Sequence, residues 1–309
     1  MFSASQLYVV AVVSNPLGTI SRPTLARAFC QRMLDAGVNL TLVEGALGER
    51  PFELTGLDAR INYVPVRYQT ICWHKESLIN IGFSRLPKAA RYIAWIDADV
   101  SWRTSDWPVQ IIDGLQQFSV MQPWTTCYDL GPKDEHLDAH TSFAALHRAR
   151  KPIFPTWKKG YTLGHPGYAW CGRRETLENM GGLIDFAALG SADHNMALGM
   201  LGRITETFPA DISPQFTEAM LAWQAKAKQF VGMRIGALPL TIEHTWHGKK
   251  TSRGYVTRWQ ILEKYKFNPL TDLKRNLDGV MELAGNKPDL QHDIELYFEA
   301  RDEDANSTK

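Results

Sequence analysis

Tyr92-Ile-Ala-Trp-Ile96 runs without a break into Asp97-Ala-Asp99. Five apolar residues in a row read as a strand buried on both faces. Two carboxylates cannot follow that strand into a core, so they mark where the chain leaves the sheet. The segments before it follow the same pattern. Residues 7–13 form a β-branched run that closes at Ser14-Asn-Pro-Leu-Gly18. Residues 22–36 have helical spacing and stop at Gly37. Residues 39–44 and 61–68 read as strands, and residues 73–86 as a helix ended by Pro87. Strand, helix, strand at this spacing predicts an α/β fold with a doubly wound, mostly parallel sheet.

Beyond Asp99 the pattern predicts a helix over 107–118 and a strand over 119–121. Residues 125–159 are polar and rich in His, Pro and Arg, and read as a long loop or lid over a site. A strand over 168–171 follows, then helices over 174–180, 192–201 and 216–231. A strand over 238–246 and helices over 256–265 and 290–301 complete the chain. The 309 residues, 44% of them hydrophobic, suffice for a sizeable core. No repeat or linker is visible. The expected division is one domain over 1–268, with 269–309 as its C-terminal helical extension.

The totals exclude some classes. The formal net charge is +1, so any nucleic-acid binding must come from local patches. No stretch reaches the ~20 apolar residues of a membrane-spanning helix, and the run at 7–13 is short for a signal-peptide core. The four cysteines are widely spaced with no C-x-x-C pair, which predicts reduced thiols and a cytoplasmic protein without membrane partners.

Three constellations carry chemistry. Asp97-Ala-Asp99 lies at a strand's carboxyl end, where open α/β sheets bind ligands. Two acids around one small residue suit Mg²⁺ or Mn²⁺, which take oxygen ligands and bridge them to phosphates. A solvated turn is the plain alternative, but the apolar run drives both acids to the sheet edge. The second is Gly190-Ser-Ala-Asp193-His-Asn195, ahead of a helix. Asp193 is there either a helix cap or a general base that deprotonates a hydroxyl. Asp185, in a Gly181-Gly-Leu-Ile-Asp185 turn, reads as structural. The third is Glu243-His244-Thr-Trp-His247-Gly-Lys249-Lys250. His244 is the preferred metal ligand from this set, with His247 as alternate ligand or phosphate partner. Lys249, Lys250 and Arg253 either neutralise a diphosphate or form an ordinary basic surface loop.

Taken in order, these blocks resemble a known family. Trp73-His-Lys75-Glu-Ser-Leu-Ile-Asn80-Ile-Gly82-Phe83 precedes the Asp97-Ala-Asp99 strand. Gly181-Gly182 precedes Asp193, and Ile242-Glu-His244 follows. This arrangement is similar to the β-1,4-galactosyltransferases, nucleotide-sugar enzymes of the GT-A fold, over roughly residues 7–258. The resemblance implies a Rossmann-like, doubly wound mixed sheet and a metal-dependent, inverting hexosyltransferase. It implies Mn²⁺ or Mg²⁺ on Asp97, Asp99 and His244, and Asp193 as the base. It implies a UDP-linked sugar donor held by Ser14 and Pro16 of the first loop, by Lys75 and Asn80 of the first motif, by Asp97, and by Lys249 and Lys250. One departure stands out: Ala192-Asp193-His194-Asn195 replaces the family's run of carboxylates.

The string is also similar to GT-A proteins of phages and prophages, some of which glycosylate hydroxymethylated pyrimidines in DNA. Arg148, Arg150, Lys151, Lys158 and Lys159 would then meet phosphates, with Arg173, Arg174 and Arg258 nearer the site. Trp157, Tyr161 or Trp170 would stack an extruded base. DNA is therefore the expected acceptor. A saccharide or protein hydroxyl, or a non-catalytic nucleotide-sugar-binding role, is the alternative.

Overall fold

The computed structural model describes residues 2–153, 163–232, 234–248, 254 and 257–301. The first half alternates as its sequence predicts. Strand β1 (Leu7–Ser14) is followed by α1 (Ser21–Asp35), β2 (Asn39–Leu47), β3 (Asn62–Tyr68), α2 (Lys75–Ser84) and β4 (Tyr92–Ile96). After a turn come β5 (Val100–Trp102), α3 (Trp107–Gln117), β6 (Val120–Gln122), β7 (Thr126–Leu130), β8 (His136–Thr141) and α4 (Phe143–Arg148). Then follow β9 (Ala169–Arg173), α5 (Arg174–Asn179), α6 (Ala192–Met200), α7 (Pro214–Val231), β10 (Ile235–Ala237) and β11 (Thr241–His244). The chain continues through α8 (Thr257–Lys264), the pair β12 (Leu273–Arg275) and β13 (Met281–Leu283), and α9 (Pro288–Glu299).

The fold is mixed α/β. A seven-stranded sheet has the order β10-β6-β9-β4-β1-β2-β3. Its strands are parallel except β9, which is antiparallel to both neighbours, β4 and β6. Alternation within each strand explains why the runs are apolar throughout. Leu7, Val9, Ala11 and Val13 of β1 enter one core with α1 and α3, while Val10 enters the other. Ile93 and Trp95 of β4 join that second core with helices α5–α9, and Ala94 and Ile96 face the first. Helix α2 lies so close to β1 that a Cβ on Gly82 would come within 2.4 Å of the Val10 side chain, so only glycine fits there. Among the described residues no helix is long and apolar enough to cross a membrane, and all four cysteines are free and buried.

A second sheet, β5-β11-β7-β8, stands at the carboxyl end of β4. Its strands β7 and β8, followed by helix α4, fall within the stretch expected as a long loop. The signal was concealed because Asp129 is a charged residue at a buried position, and β8 is an exposed edge strand without an apolar face. The part of that stretch at 154–162 lies outside the described residues.

The C-terminal segment carries strands as well as a helix. Its hairpin docks beside α2 and β3, where Ser77 Oγ accepts from the Met281 backbone N–H at 2.8 Å and Glu282 accepts from the Gln69 backbone N–H at 2.9 Å. Helix α9 buries Leu290, Ile294, Tyr297 and Phe298.

Candidate active site

The strand order reverses between β1 and β4, and the crevice beyond their carboxyl ends is the expected ligand position in such a sheet. A cavity of about 240 Å³ lies there. Ser14, Pro16, Lys75, Asp97, Asp99, Asp193, His244 and His247 all line it. Segments far apart in sequence therefore meet at one crevice.

Register in the small sheet assembles one wall. β5 is antiparallel to β11 and sets Val100 opposite His244; β11 is parallel to β7 and sets His244 opposite Asp129. The Thr245 backbone N–H donates to the Asp99 carbonyl at 2.9 Å, which locks the two loops together. Asp99 Oδ2 is then 3.6 Å from His244 Nε2 and 3.2 Å from His247 Nε2, and the two Nε2 atoms are 3.1 Å apart. Atoms bound ~2.0–2.2 Å from one small divalent ion lie at roughly this mutual spacing. Asp99 Oδ1 is buried and has no hydrogen-bond partner among the described residues. Burial pushes Asp99 up, but His244 and His247 override it and hold the carboxyl well below the usual range. Burial pulls His244 down, while Asp99 and Asp129 lift it to about 9. Two imidazoles and an under-satisfied carboxylate fit a divalent cation.

Asp97 does not join them. Its Oδ1 lies 2.5 Å from Lys75 Nζ, each side chain about a quarter exposed. Burial pushes Asp97 up, and Asp99 and Asp193 add to the push against the pull of Lys75. These two positions of one strand-end turn have different partners: Asp99 clusters with His244 and His247 in an arrangement that could hold one cation, while Asp97, expected to share that ion, pairs with Lys75.

The first loop is held rigidly. Asn15 Oδ1 accepts from the Thr19 backbone N–H at 2.8 Å, Arg50 donates to the Pro16 carbonyl at 2.6 Å, and Ser14 Oγ is 2.9 Å from the Tyr68 hydroxyl. Asp193 is the second residue of α6 and half-buried. Gly190 and Ser191 precede it with φ of 89° and 73°. The Ser191 hydroxyl is taken by the Arg258 guanidinium and does not cap the helix. A Cβ on Gly167 would sit 3.0 Å from Asp193 Oδ2, so the missing side chain opens the approach to this carboxylate.

Asn80 goes elsewhere. It clamps the turn ahead of Asp185, donating to the Leu183 carbonyl at 3.0 Å and accepting from the Leu183 N–H at 2.9 Å, and it does not line the cavity. Asp185 is structural too, bound by Asn80 at 3.1 Å and Arg275 at 2.6 Å. Lys249, Lys250 and Arg253 lie outside the described residues.

Two functional candidates escaped the sequence reading. Asp129 is buried behind His244: its Oδ1 is 2.9 Å from His244 Nδ1 and accepts from the Tyr168 hydroxyl at 3.0 Å, while its Oδ2 is 2.5 Å from His140 Nε2. A carboxylate on Nδ1 fixes the tautomer that turns Nε2 toward a metal. Asp129, Asp138 and His140 also cluster. Both Asp129 oxygens are already engaged there, one by His244 and Tyr168 and the other by His140. The other is Glu76, beside Lys75 in the same motif block, which also lines the cavity.

No protein-family model matches the chain, and no curated protein matches it. Solved structures do. The chain is similar to the catalytic domain of Drosophila β1,4-galactosyltransferase 7 in complex with xylobiose, at 14% identity over 65% of this chain and 63% of that one, TM-score 0.36. It is similar to S. aureus TarS 1–349 in complex with UDP-GlcNAc, at 10% identity over 79% and 59%, TM-score 0.43. It is also similar to 4-diphosphocytidyl-2C-methyl-D-erythritol synthase from Anaerococcus prevotii, at 9% identity over 77% and 88%, TM-score 0.36. The chain spans less than two thirds of the galactosyltransferase and TarS chains.

Proposed function

We propose that this chain is a divalent-cation-dependent glycosyltransferase that moves a hexose from a nucleotide-sugar donor, UDP-linked, to an acceptor hydroxyl with inversion. The observation that carries the reading is the convergence of Asp99, His244 and His247 on one point, in a cavity at the β1/β4 switch that also holds Asp193. Those three residues would hold Mn²⁺ or Mg²⁺, which when bound supplies positive charge for the donor diphosphate and the departing nucleotide. The residues 14–19 loop offers a rigid shelf for the nucleotide. Lys75 places a cation beside the donor and keeps Asp97 oriented. Asp193 takes the acceptor hydroxyl proton as that oxygen attacks the anomeric carbon. Residues 1–268 form the catalytic domain in this reading, and 269–309 form an extension whose Phe298 and Arg301 close one cavity wall.

The finer expectation, a 5-hydroxymethylpyrimidine in phage DNA, draws little support from the described residues. Arg173 and Arg174 are spent on the backbone carbonyls of Leu115, Gln116, Ala90 and Pro87. Arg148 lies over the Phe118 ring, and Trp170 is buried against Trp95. Arg258 alone of that described set lines the cavity. Trp157, Lys158, Lys159 and Tyr161 lie outside the described residues.

The test is Mn²⁺-dependent transfer from a panel of UDP-hexoses to simple glycosides, to peptides and to oligonucleotides carrying 5-hydroxymethylcytosine or 5-hydroxymethyluracil. Product stereochemistry is read by NMR. Asp193→Asn should lower transfer by ~10²–10⁴-fold while Mn²⁺-dependent UDP binding persists. Retention at the anomeric carbon, or transfer indifferent to chelator, would overturn the proposal. UDP-sugar binding without turnover of any donor would leave a binding protein.

A further inference from the structure

Glu76 is the second residue of α2, lines the cavity, and is 4% exposed. Its Oε2 accepts from the Trp73 indole N–H at 2.9 Å. The indole is itself immobilised. The Trp73 backbone N–H donates to the Ala188 carbonyl at 2.8 Å, the Arg301 guanidinium sits 5.1 Å from the ring centroid, and a Cβ on Gly190 would be 3.2 Å from the ring. Among the described residues no cation lies within ion-pair distance of Glu76, and neighbouring Lys75 is engaged with Asp97.

A buried acid without an ion-pair partner needs a reason. An acidic residue in a first helical turn gains a small interaction with the helix dipole, less than the cost of desolvating a carboxylate. Burial accordingly pushes Glu76 up to about 7 against the pull of Lys75, with Asp193 adding to the push. An ionised carboxyl offers about four acceptor positions. The indole and Glu76's own backbone N–H take two. The remaining capacity belongs to whatever fills the cavity that Glu76 lines.

The geometry points to Glu76 as a sugar-reading residue, whose carboxylate accepts hydrogen bonds from ring hydroxyls of a pyranose seated between Lys75 and Asp193. This inference rests on the glycosyltransferase reading above. The pyranose is either the transferred sugar or the accepting one; the chemistry is the same, because both present hydroxyls to the same carboxyl oxygens. A site built to bind a hydroxyl rejects analogues that lack it far more strongly than an apolar pocket does.

The experiment has two arms and uses Glu76→Gln, which loses the charge, and Glu76→Asp, which keeps an acid at the helix terminus but withdraws its oxygens. In the donor arm, calorimetry with Mn²⁺ compares UDP, the preferred UDP-hexose and its monodeoxy analogues. In the acceptor arm, KM is measured for p-nitrophenyl glycosides of glucose, N-acetylglucosamine and xylose. If Glu76 reads the donor sugar, wild type discriminates against one deoxy analogue by about tenfold or more, and both variants erase that discrimination while affinity for UDP itself holds. If Glu76 reads the acceptor, donor affinities hold and the glycoside KM rises by a similar factor in both variants. Either result supports the inference. Glu76→Asp behaving as wild type in both arms, or both variants losing UDP affinity together with melting temperature, makes Glu76 a helix-stabilising residue and overturns it. Wild type failing to bind UDP in the presence of Mn²⁺ sinks the glycosyltransferase reading itself, and this inference with it.

Discussion

The cavity has two walls built on different plans. On the small-sheet wall, Asp99 faces two imidazoles, and Asp129 stands behind one of them. On the helical wall, Asp97, Asp193 and Glu76 share the neighbourhood of one ammonium group, Lys75. Two aspartates separated by a single alanine are therefore driven in opposite directions, Asp99 down and Asp97 up. The lesson is that a D-x-D sequence is not one device. The strand end supplies two carboxylates, and what crosses from each side decides which one is suited to a cation and which one orients a lysine.

The sharpest way to break this comparison is to remove one acid at a time. Asp99→Asn should weaken Mn²⁺ binding by ~100-fold or more, read by calorimetry or paramagnetic resonance, whereas Asp97→Asn should change it by less than about threefold. Equal losses in the two variants would mean that the walls are one site.

Asp129→Asn should cost ~10–100-fold in Mn²⁺ affinity without any change of a metal-contacting residue, since it releases His244 from its fixed tautomer. An unchanged affinity would reduce Asp129 to packing.

The small-sheet wall should also respond to pH on its own. In the metal-free protein His244 is raised from 6.5 to about 9. Its ionic contacts therefore stabilise fully below pH ~6.5, and that contribution is lost as pH rises through about 9. Metal needs the neutral imidazole, so Mn²⁺ affinity should rise by roughly tenfold per pH unit across that window. Calorimetry in buffers of different ionisation enthalpy would reveal the released proton. An affinity flat from pH 6.5 to 9 would contradict the assignment.

The smallest effect concerns stability. Asn80→Ala unpairs the Leu183 backbone and should cost about 1–3 kcal/mol by chemical denaturation. It should leave Mn²⁺ affinity unchanged, which separates the scaffold of α2 from the ion wall.

Much of this is legible in the sequence. Apolar runs bounded by turn residues located β1 to β4 to within a few residues, because strands buried on both faces leave a dense signal. Asp97, Asp99, Asp193, His244 and His247 stood out from types and spacing, and Ser14, Pro16 and Lys75 through the family resemblance; all of them meet at one crevice. Asn80 belonged to the same motif block but serves the fold, since a motif records neighbours in sequence and not which way each side chain faces. β7 and β8 escaped notice because a buried Asp129 and an exposed His136–Thr141 strand invert the usual alternation.

Sequence alone determined the alternating α/β order and the strand-end position of the two aspartates, because local periodicity and turn chemistry are properties of short segments. Only the tertiary structure decided which carboxylate meets the imidazoles. That outcome depends on β5 pairing with β11 and β11 with β7, contacts between residues up to about 140 positions apart. Such register carries no local signature, because it is set by what packs across the sheet rather than along the chain.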